Sequence, residues 1–289
     1  MNKIKIGVVA PGSRLEPEMA QKLEALVKAR FGTNAPQIAV HPQCFLTSGH
    51  FAGEDAARAG AFLEFANDAS IDALWFARGG YGACRLLEQV MPRLTPAARA
   101  KTYLGYSDAG LLLGALYGVG FPAIAHGPMV ADIKREGGEA AVARALDFLT
   151  GRAPATLEPG VGATAKSCAF NITILSHLLG TPFQPDLSGH VLMLEEVSEH
   201  MYRIDRALFH ITSNPAIRRA AGIKLGRCSA IPPNEPDFGA SEEEVVRYWC
   251  ARSGIAYLGR ADIGHDSANK VVPFGTYPGA AWDRTGATG

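Results

Sequence analysis

The sequence predicts an α/β fold: an N-terminal parallel sheet flanked by helices, of the nucleophile-elbow type, with a second, smaller α/β domain. Three observations carry that expectation. Short apolar runs alternate with stretches of helical spacing through the first 150 residues, which implies right-handed crossovers and a sheet covered on both faces. One such run ends at a serine in a tight turn, Tyr103-Leu104-Gly105-Tyr106-Ser107-Asp108-Ala109-Gly110, and passes straight into the helical Leu111–Leu116. A stretch rich in Gly, Pro, Ala and Thr, residues 151–166, then precedes a second set of strands and helices.

The apolar run Ile4–Ala10, closed by Pro11-Gly12, is the first strand, and Glu16–Phe31 sets Met19, Leu23, Leu26 and Val27 at helical spacing. Gln37–Val40 is a second strand, followed by the helix Glu54–Asn67 with Ala57, Ala61, Phe62 and Phe65 on one side. Ile71–Ala77 is a third strand; after Arg78-Gly79-Gly80-Tyr81-Gly82 comes a helix through Leu86, Leu87 and Val90. Thr102–Tyr106 and Pro122–Ala125 are the fourth and fifth strands, and the helix Gly137–Thr150 completes a domain over residues 1–150. Residues 151–166 form the linker and 167–289 the second domain. There the spacing predicts helices at Ile172–Leu179, Tyr202–Thr212 and Ser241–Ala251, the last with a Ser241/Glu244 capping box. Its strands fall at Val191–Leu194, Ile223–Cys228, Ala256–Leu258 and Val271–Pro273.

Composition narrows the function classes. Twenty-eight basic and 28 acidic residues cancel and form no basic stripe, so no nucleic-acid partner is expected. Cys44, Cys84, Cys168, Cys228 and Cys250 are an odd number without CxxC spacing, which reads as buried thiols in a reducing compartment. The N-terminal apolar run is short, is broken by Lys5, and has no small-residue cleavage site after it, so no signal peptide is expected there. No stretch approaches the roughly 18 apolar residues of a membrane span. The expected location is cytoplasmic. Without an HExxH, EF-hand, P-loop or His/Cys cluster, no metal and no cofactor are expected.

Ser107 has two readings: a nucleophile lifted from the sheet ahead of helix N-terminal N–H groups, or a Ser-Asp cap on a core helix. Gly105 and Ala109 keep the elbow small, although the second glycine, Gly110, comes one place later than in G-x-S-x-G. A base is available at His265, in the Gly-flanked loop Ala261–Asp266, or at His126 on the sheet rim; the other six histidines carry no local signal. Glu195 and Glu196 follow the strand Val191–Leu194, and spacing does not separate an orienting acid from a solvated charge. The glycines of the Arg78–Gly82 loop suit an oxyanion donor; a dinucleotide fingerprint fails because Arg85 stands where its third glycine belongs.

Taken together these segments resemble the L,D-carboxypeptidase (murein tetrapeptide carboxypeptidase) family of serine peptidases. The likeness rests on Ala10-Pro11-Gly12-Ser13, Phe51-Ala52-Gly53, Arg78–Ala83, Gly105-Tyr106-Ser107-Asp108, Gly127-Pro128-Met129, Leu194–Glu199, Tyr202–Arg206 and Gly264-His265, in that order. It implies a triad of Ser107, Glu195 and His265, with Glu196 standing where the family's Leu-Glu-Asp has its aspartate. The implied oxyanion donors are the backbone N–H groups of Gly80 and Asp108. Hydrolysis would release the terminal D-alanine from a muropeptide tetrapeptide, with Arg78, Arg203 and Arg206 as candidates for its carboxylate. The resemblance also implies a homodimer. Ala169-Phe170-Asn171-Ile172 departs from the family's Gly-Gly-Asn-Leu, and Phe170 is expected to narrow the cleft. Two other functions remain: an immunity-type hydrolase of peptidyl-nucleotide antibiotics, for which an Asn-containing loop is expected where Tyr81-Gly82-Ala83 stands, and a non-catalytic muropeptide-binding protein.

Overall fold

The computed structural model describes residues 3–151 and 154–277; residues 152–153 of the expected linker and 278–289 of the expected second domain lie outside the described residues. The chain opens with β1 (Lys5–Val9), α1 (Pro17–Phe31), β2 (Gln37–Val40), α2 (Asp55–Asn67) and β3 (Ala73–Phe76). After β3 the expected helix breaks into short turns around α3 (Leu87–Val90), and a further single turn, α4 (Pro96–Arg99), leads into β4 (Thr102–Gly105). Pro92 and Pro96 cannot donate to a continuing helix, which explains the interruption. Then come α5 (Gly110–Gly118), β5 (Ile124–His126) and α6 (Gly138–Gly151).

The second half holds β6 (Lys166–Asn171), α7 (Ile172–Leu178), β7 (His190–Val197), α8 (Met201–Ser213), β8 (Gly222–Ser229), α9 (Glu242–Ser253), β9 (Tyr257–Arg260) and β10 (Val272–Pro273). The expected capping box opens α9: Ser241 accepts from the Glu244 N–H, and the Glu244 side chain reaches back. Strand β6 starts on the last residue of the expected linker and occupies the opening of the expected second domain, where the sequence predicts no strand. Lys166-Ser167-Cys168-Ala169 lacks the β-branched residues that mark a strand, and burial supplies what propensity does not.

Two parallel sheets result. The first has the order β10-β5-β4-β3-β1-β2, parallel except for β10 against β5, and the second runs β6-β7-β8-β9. The strand expected to end the second domain therefore joins the first sheet. Ser167 and Gly275 exchange backbone hydrogen bonds of 2.8 and 2.9 Å, and the Phe274 N–H donates to Ile124 O, so this terminal segment ties the two sheets together. A continuous apolar core joins them as well. It runs from Phe76 and Tyr103 through Leu112 and Leu116 of α5 to Phe170, Leu192, Leu194 and Leu225. Helix α5 is apolar on all sides because it lies between layers.

Phe170 belongs to this core and does not narrow the cleft. It is 1 % exposed, lies 5.1 Å from the Phe274 ring, and fills the space over Gly110 and Gly114 that helix α5 leaves free. In the first sheet the strand order reverses between β1 and β3, so the loops after these strands diverge at their carboxyl ends and open a crevice. Among the described residues no helix is long and apolar enough to cross a membrane.

Candidate active site

Strand β4 is buried along its whole length and delivers Ser107 to the crevice. Gly105 is required by packing: a Cβ there would meet the Phe76 ring at 2.6 Å. Ser107 itself has φ 59°, a left-handed conformation uncommon for a residue with a side chain and costly without surrounding support. That backbone turns its Oγ away from the sheet. The glycine loop after β3 closes against it, since a Cβ on Gly79 would stand 2.9 Å from Ser107 Cβ and Oγ. Gly80, at φ 85°, lies tighter still, since a Cβ there would overlap Ser13 Oγ. The two loops expected to share a rim are in direct contact.

Both Glu195 and Glu196 lie within β7, which runs three residues further than expected, and both are buried. They are not solvated charges. Alternation along the strand sends them to opposite faces. Glu195 Oε2 lies 2.5 Å from His265 Nδ1, and His265 Nε2 lies 3.0 Å from Ser107 Oγ. A carboxylate only accepts, so Nδ1 carries the imidazole proton and Nε2 is left to accept from the serine hydroxyl. Burial pulls the His265 pKa down, but the charge and hydrogen bond of Glu195 outweigh it and hold it above the ordinary value.

His265 reaches the serine because the chain must cross from β9 in the second sheet to β10 in the first, and the imidazole sits on that crossing. Arg227 of β8 grips the loop, donating from Nη1 to Asp262 at 2.6 Å, from Nη2 to Asp266 at 2.9 Å, and from Nε to Asp266 as well. Arg144 of α6 donates to the carbonyls of Ser267 and Asn269. Asn269 Oδ1 accepts from the Gly264 N–H and from His126 Nε2. His126, the second candidate base, is thus a buried prop for the loop. Burial drives its pKa down to about 4, so it remains a neutral donor near pH 7.

The other expected residues sit around this line. The Asp108 carboxylate accepts from the Ala83 N–H at 2.7 Å and fastens the elbow to the glycine loop; burial pushes its pKa up to about 6. Gly80, Ser107 and Asp108 all line a pocket of about 870 Å³. Arg78, Gly80, Ser107 and His265 line a smaller recess of about 320 Å³. Arg203 and Arg206 border neither, lying on α8 beside Tyr202, where Arg203 pairs with Glu199 at 3.6 Å. Sequence reasoning missed Arg227, Arg144 and Asn269, which act through partners distant in the chain. Among the described residues no group of three or more His, Cys, Asp or Glu could hold a metal ion.

Residues 6–127 match the model of the LD-carboxypeptidase N-terminal domain, and residues 165–277 that of the LD-carboxypeptidase C-terminal domain. A probable murein peptide carboxypeptidase of Bacillus subtilis is 28% identical over 283 residues, covering 93% of this chain and 86% of that protein. The murein tetrapeptide carboxypeptidase of Pseudomonas aeruginosa is 28% identical over 222 residues, 71% of each chain. Among solved structures, the muramoyltetrapeptide carboxypeptidase of Oxalobacter formigenes superposes with a TM-score of 0.77 at 24% identity, covering 94% of this chain and 92% of that one. The microcin C7 self-immunity protein MccF, in complex with aspartyl sulfamoyl adenosine, gives 0.76 at 17% identity over 95% and 92%. The structural likenesses establish a shared fold. With both of its halves matched in order, the chain belongs to the LD-carboxypeptidase family.

Proposed function

We propose that the protein is a serine-type L,D-carboxypeptidase that removes the terminal D-alanine from murein tetrapeptides, in cytoplasmic peptidoglycan recycling. The single observation that carries this reading is the hydrogen-bonded line from Ser107 through His265 to the buried Glu195. In the proposed mechanism His265 Nε2 takes the Ser107 proton as Oγ attacks the carbonyl at the L-centre of the diaminopimelate or lysine residue. The backbone N–H groups of Gly80 and Asp108 receive the oxyanion. Collapse breaks the C–N bond and the imidazolium gives its proton to the departing D-alanine amine. Water, deprotonated by the same imidazole, then hydrolyses the acyl-serine. Glu195 holds the tautomer and stabilises the imidazolium. Five unbridged cysteines agree with a reducing compartment. We carry the homodimer forward as part of the same reading; light scattering at micromolar concentration checks it.

The test is incubation with purified murein tetrapeptide, its pentapeptide analogue and a peptidyl-nucleotide, each with and without chelator. Release of D-alanine from the tetrapeptide alone, insensitive to chelator and abolished in Ser107→Ala, is the expected outcome. Cleavage of the peptidyl-nucleotide alone would assign the immunity-type activity. Tight tetrapeptide binding without turnover would make the protein a binder.

A further inference from the structure

Ser107 stands on the wall between two unlike cavities, and their contents give the substrate a direction. The smaller recess is bordered by three cations, Arg78, Lys134 and Arg135. Its one lining carboxylate, Asp132, is already engaged by Arg135 Nε at 2.8 Å, by the Tyr106 hydroxyl at 2.8 Å and by the Met129 N–H at 2.8 Å. Asp132 therefore aims the Arg135 guanidinium and leaves its outer N–H groups as donors. Lys134 makes no ion pair among the described residues, and Arg78 is held only by the Arg14 carbonyl at 3.3 Å and a distant Glu16. The larger pocket has the opposite character. Glu88 and Glu199 border it along with Leu111, Ile174 and Phe183. The lining Glu196 is taken up by Asn171, Thr173 and Val197, Glu199 is only loosely paired with Arg203 at 3.6 Å, and the pocket's one arginine, Arg85, is tied to Asp55.

A second observation is independent of charge. His265 lines the small recess and not the large pocket. The group that protonates the leaving amine must lie beside it, so the leaving residue belongs on the imidazole side of the serine. Size agrees: 320 Å³ admits one amino-acid residue, whereas 870 Å³ admits the remaining peptide.

We propose that the leaving C-terminal residue occupies the small recess, where Arg135 and Lys134 take its free α-carboxylate, and that the acyl side lies in the large acidic pocket. The proposal rests on the L,D-carboxypeptidase reading above. Arg135 and Lys134 then impose the requirement for a chain end. A peptide continuing beyond the scissile residue, or capped as an amide, offers no anion to the cations and leaves their charge uncompensated. The carboxylates of the large pocket repel a chain-terminal anion and suit the ammonium on the diaminopimelate or lysine side chain.

The experiment compares murein tetrapeptide as the free acid with its C-terminal carboxamide. The wild type should prefer the acid by about 10- to 100-fold in kcat/KM, the range of hydrogen bonds to charged groups. A Lys134→Gln/Arg135→Gln double variant should lose most of that preference, while Arg135→Lys keeps most of it. If acid and amide fall in parallel, or the preference survives in the double variant, the assignment is wrong. Calorimetric binding of both peptides to Ser107→Ala protein separates this failure from that of the functional reading. Binding that favours the acid and depends on Lys134 and Arg135, without wild-type turnover, would sink the reading alone. Turnover without acid preference would sink the recess assignment alone.

Discussion

The two faces of β7 carry adjacent buried carboxylates in contrasting surroundings. On one face Glu196 is saturated: Oε1 accepts from Asn171 Nδ2 at 2.5 Å and the Val197 N–H at 2.9 Å, and Oε2 accepts from Thr173 N–H and hydroxyl at 2.9 and 2.8 Å. On the other, among the described residues, Glu195 has one partner, the imidazole, and its Oε1 is buried without any. A carboxylate with every lone pair matched is an anchor, here fixing the start of α7 to the end of β7. One left half-satisfied beside an imidazole keeps its negative field for that imidazole, at a cost the fold must bear. Neighbours of the same type thus divide into a structural and a proposed chemical role, decided by what the opposite faces of one strand meet.

The sharpest way to break that division is the same isosteric change at both positions. Glu195→Gln should lower kcat by about 10³- to 10⁴-fold, because the neutral amide no longer stabilises the imidazolium and, with its NH2 toward Nδ1, places the ring proton on Nε2, which can then no longer accept from Ser107. The melting temperature should stay level or rise, since a half-paired buried charge has gone. Glu196→Gln should do the reverse. Its Nε2 would confront donors that need an acceptor, costing about 1–3 kcal/mol of stability in denaturant titration, with kcat near the wild type. Equal kinetic losses in the two variants would erase the distinction.

A smaller effect should appear at the prop behind the imidazole. Asn269→Ala removes the acceptor shared by Gly264 and His126 and leaves two buried donors unmatched, each typically costing about 1–3 kcal/mol. The loop would loosen, and kcat should fall without a change in KM, by less than in Glu195→Gln. A rise in KM alone would mean that the loop contributes to binding and not to the alignment of His265.

These contrasts show how far the sequence could be read. Alternating apolar runs and helical stripes were enough for the strands and long helices of the first sheet, and Ser107 stood out because glycine and small residues surround a strand-to-helix turn. Glu195 could not be distinguished from Glu196 by spacing, since the distinction lies in what each face of β7 touches; only the family resemblance chose between them. Strand β6 escaped for want of β-branched residues. Its Phe170, expected in the cleft, is core because Gly110 and Gly114 on a separate helix make room for it. Arg227, Arg144 and Asn269 act on His265 through contacts between distant segments, which no local period records.

The mildest effect concerns the pH at which the proposed base works. To accept the Ser107 proton, His265 must be neutral. Burial by itself would ease that at low pH, whereas the charge and hydrogen bond of Glu195 hold its pKa above the ordinary imidazole value of about 6.5. Below the raised pKa the imidazole is protonated and idle, so kcat/KM should climb with pH along a limb lying above that value. In Glu195→Gln only the desolvation remains, and the limb of the residual activity should move to lower pH even as the rate drops. Glu196→Gln makes no contact with the ring and should leave the limb in place. If the limb stays fixed in Glu195→Gln, the field of that carboxylate does not govern His265, and the two faces of β7 differ in packing alone.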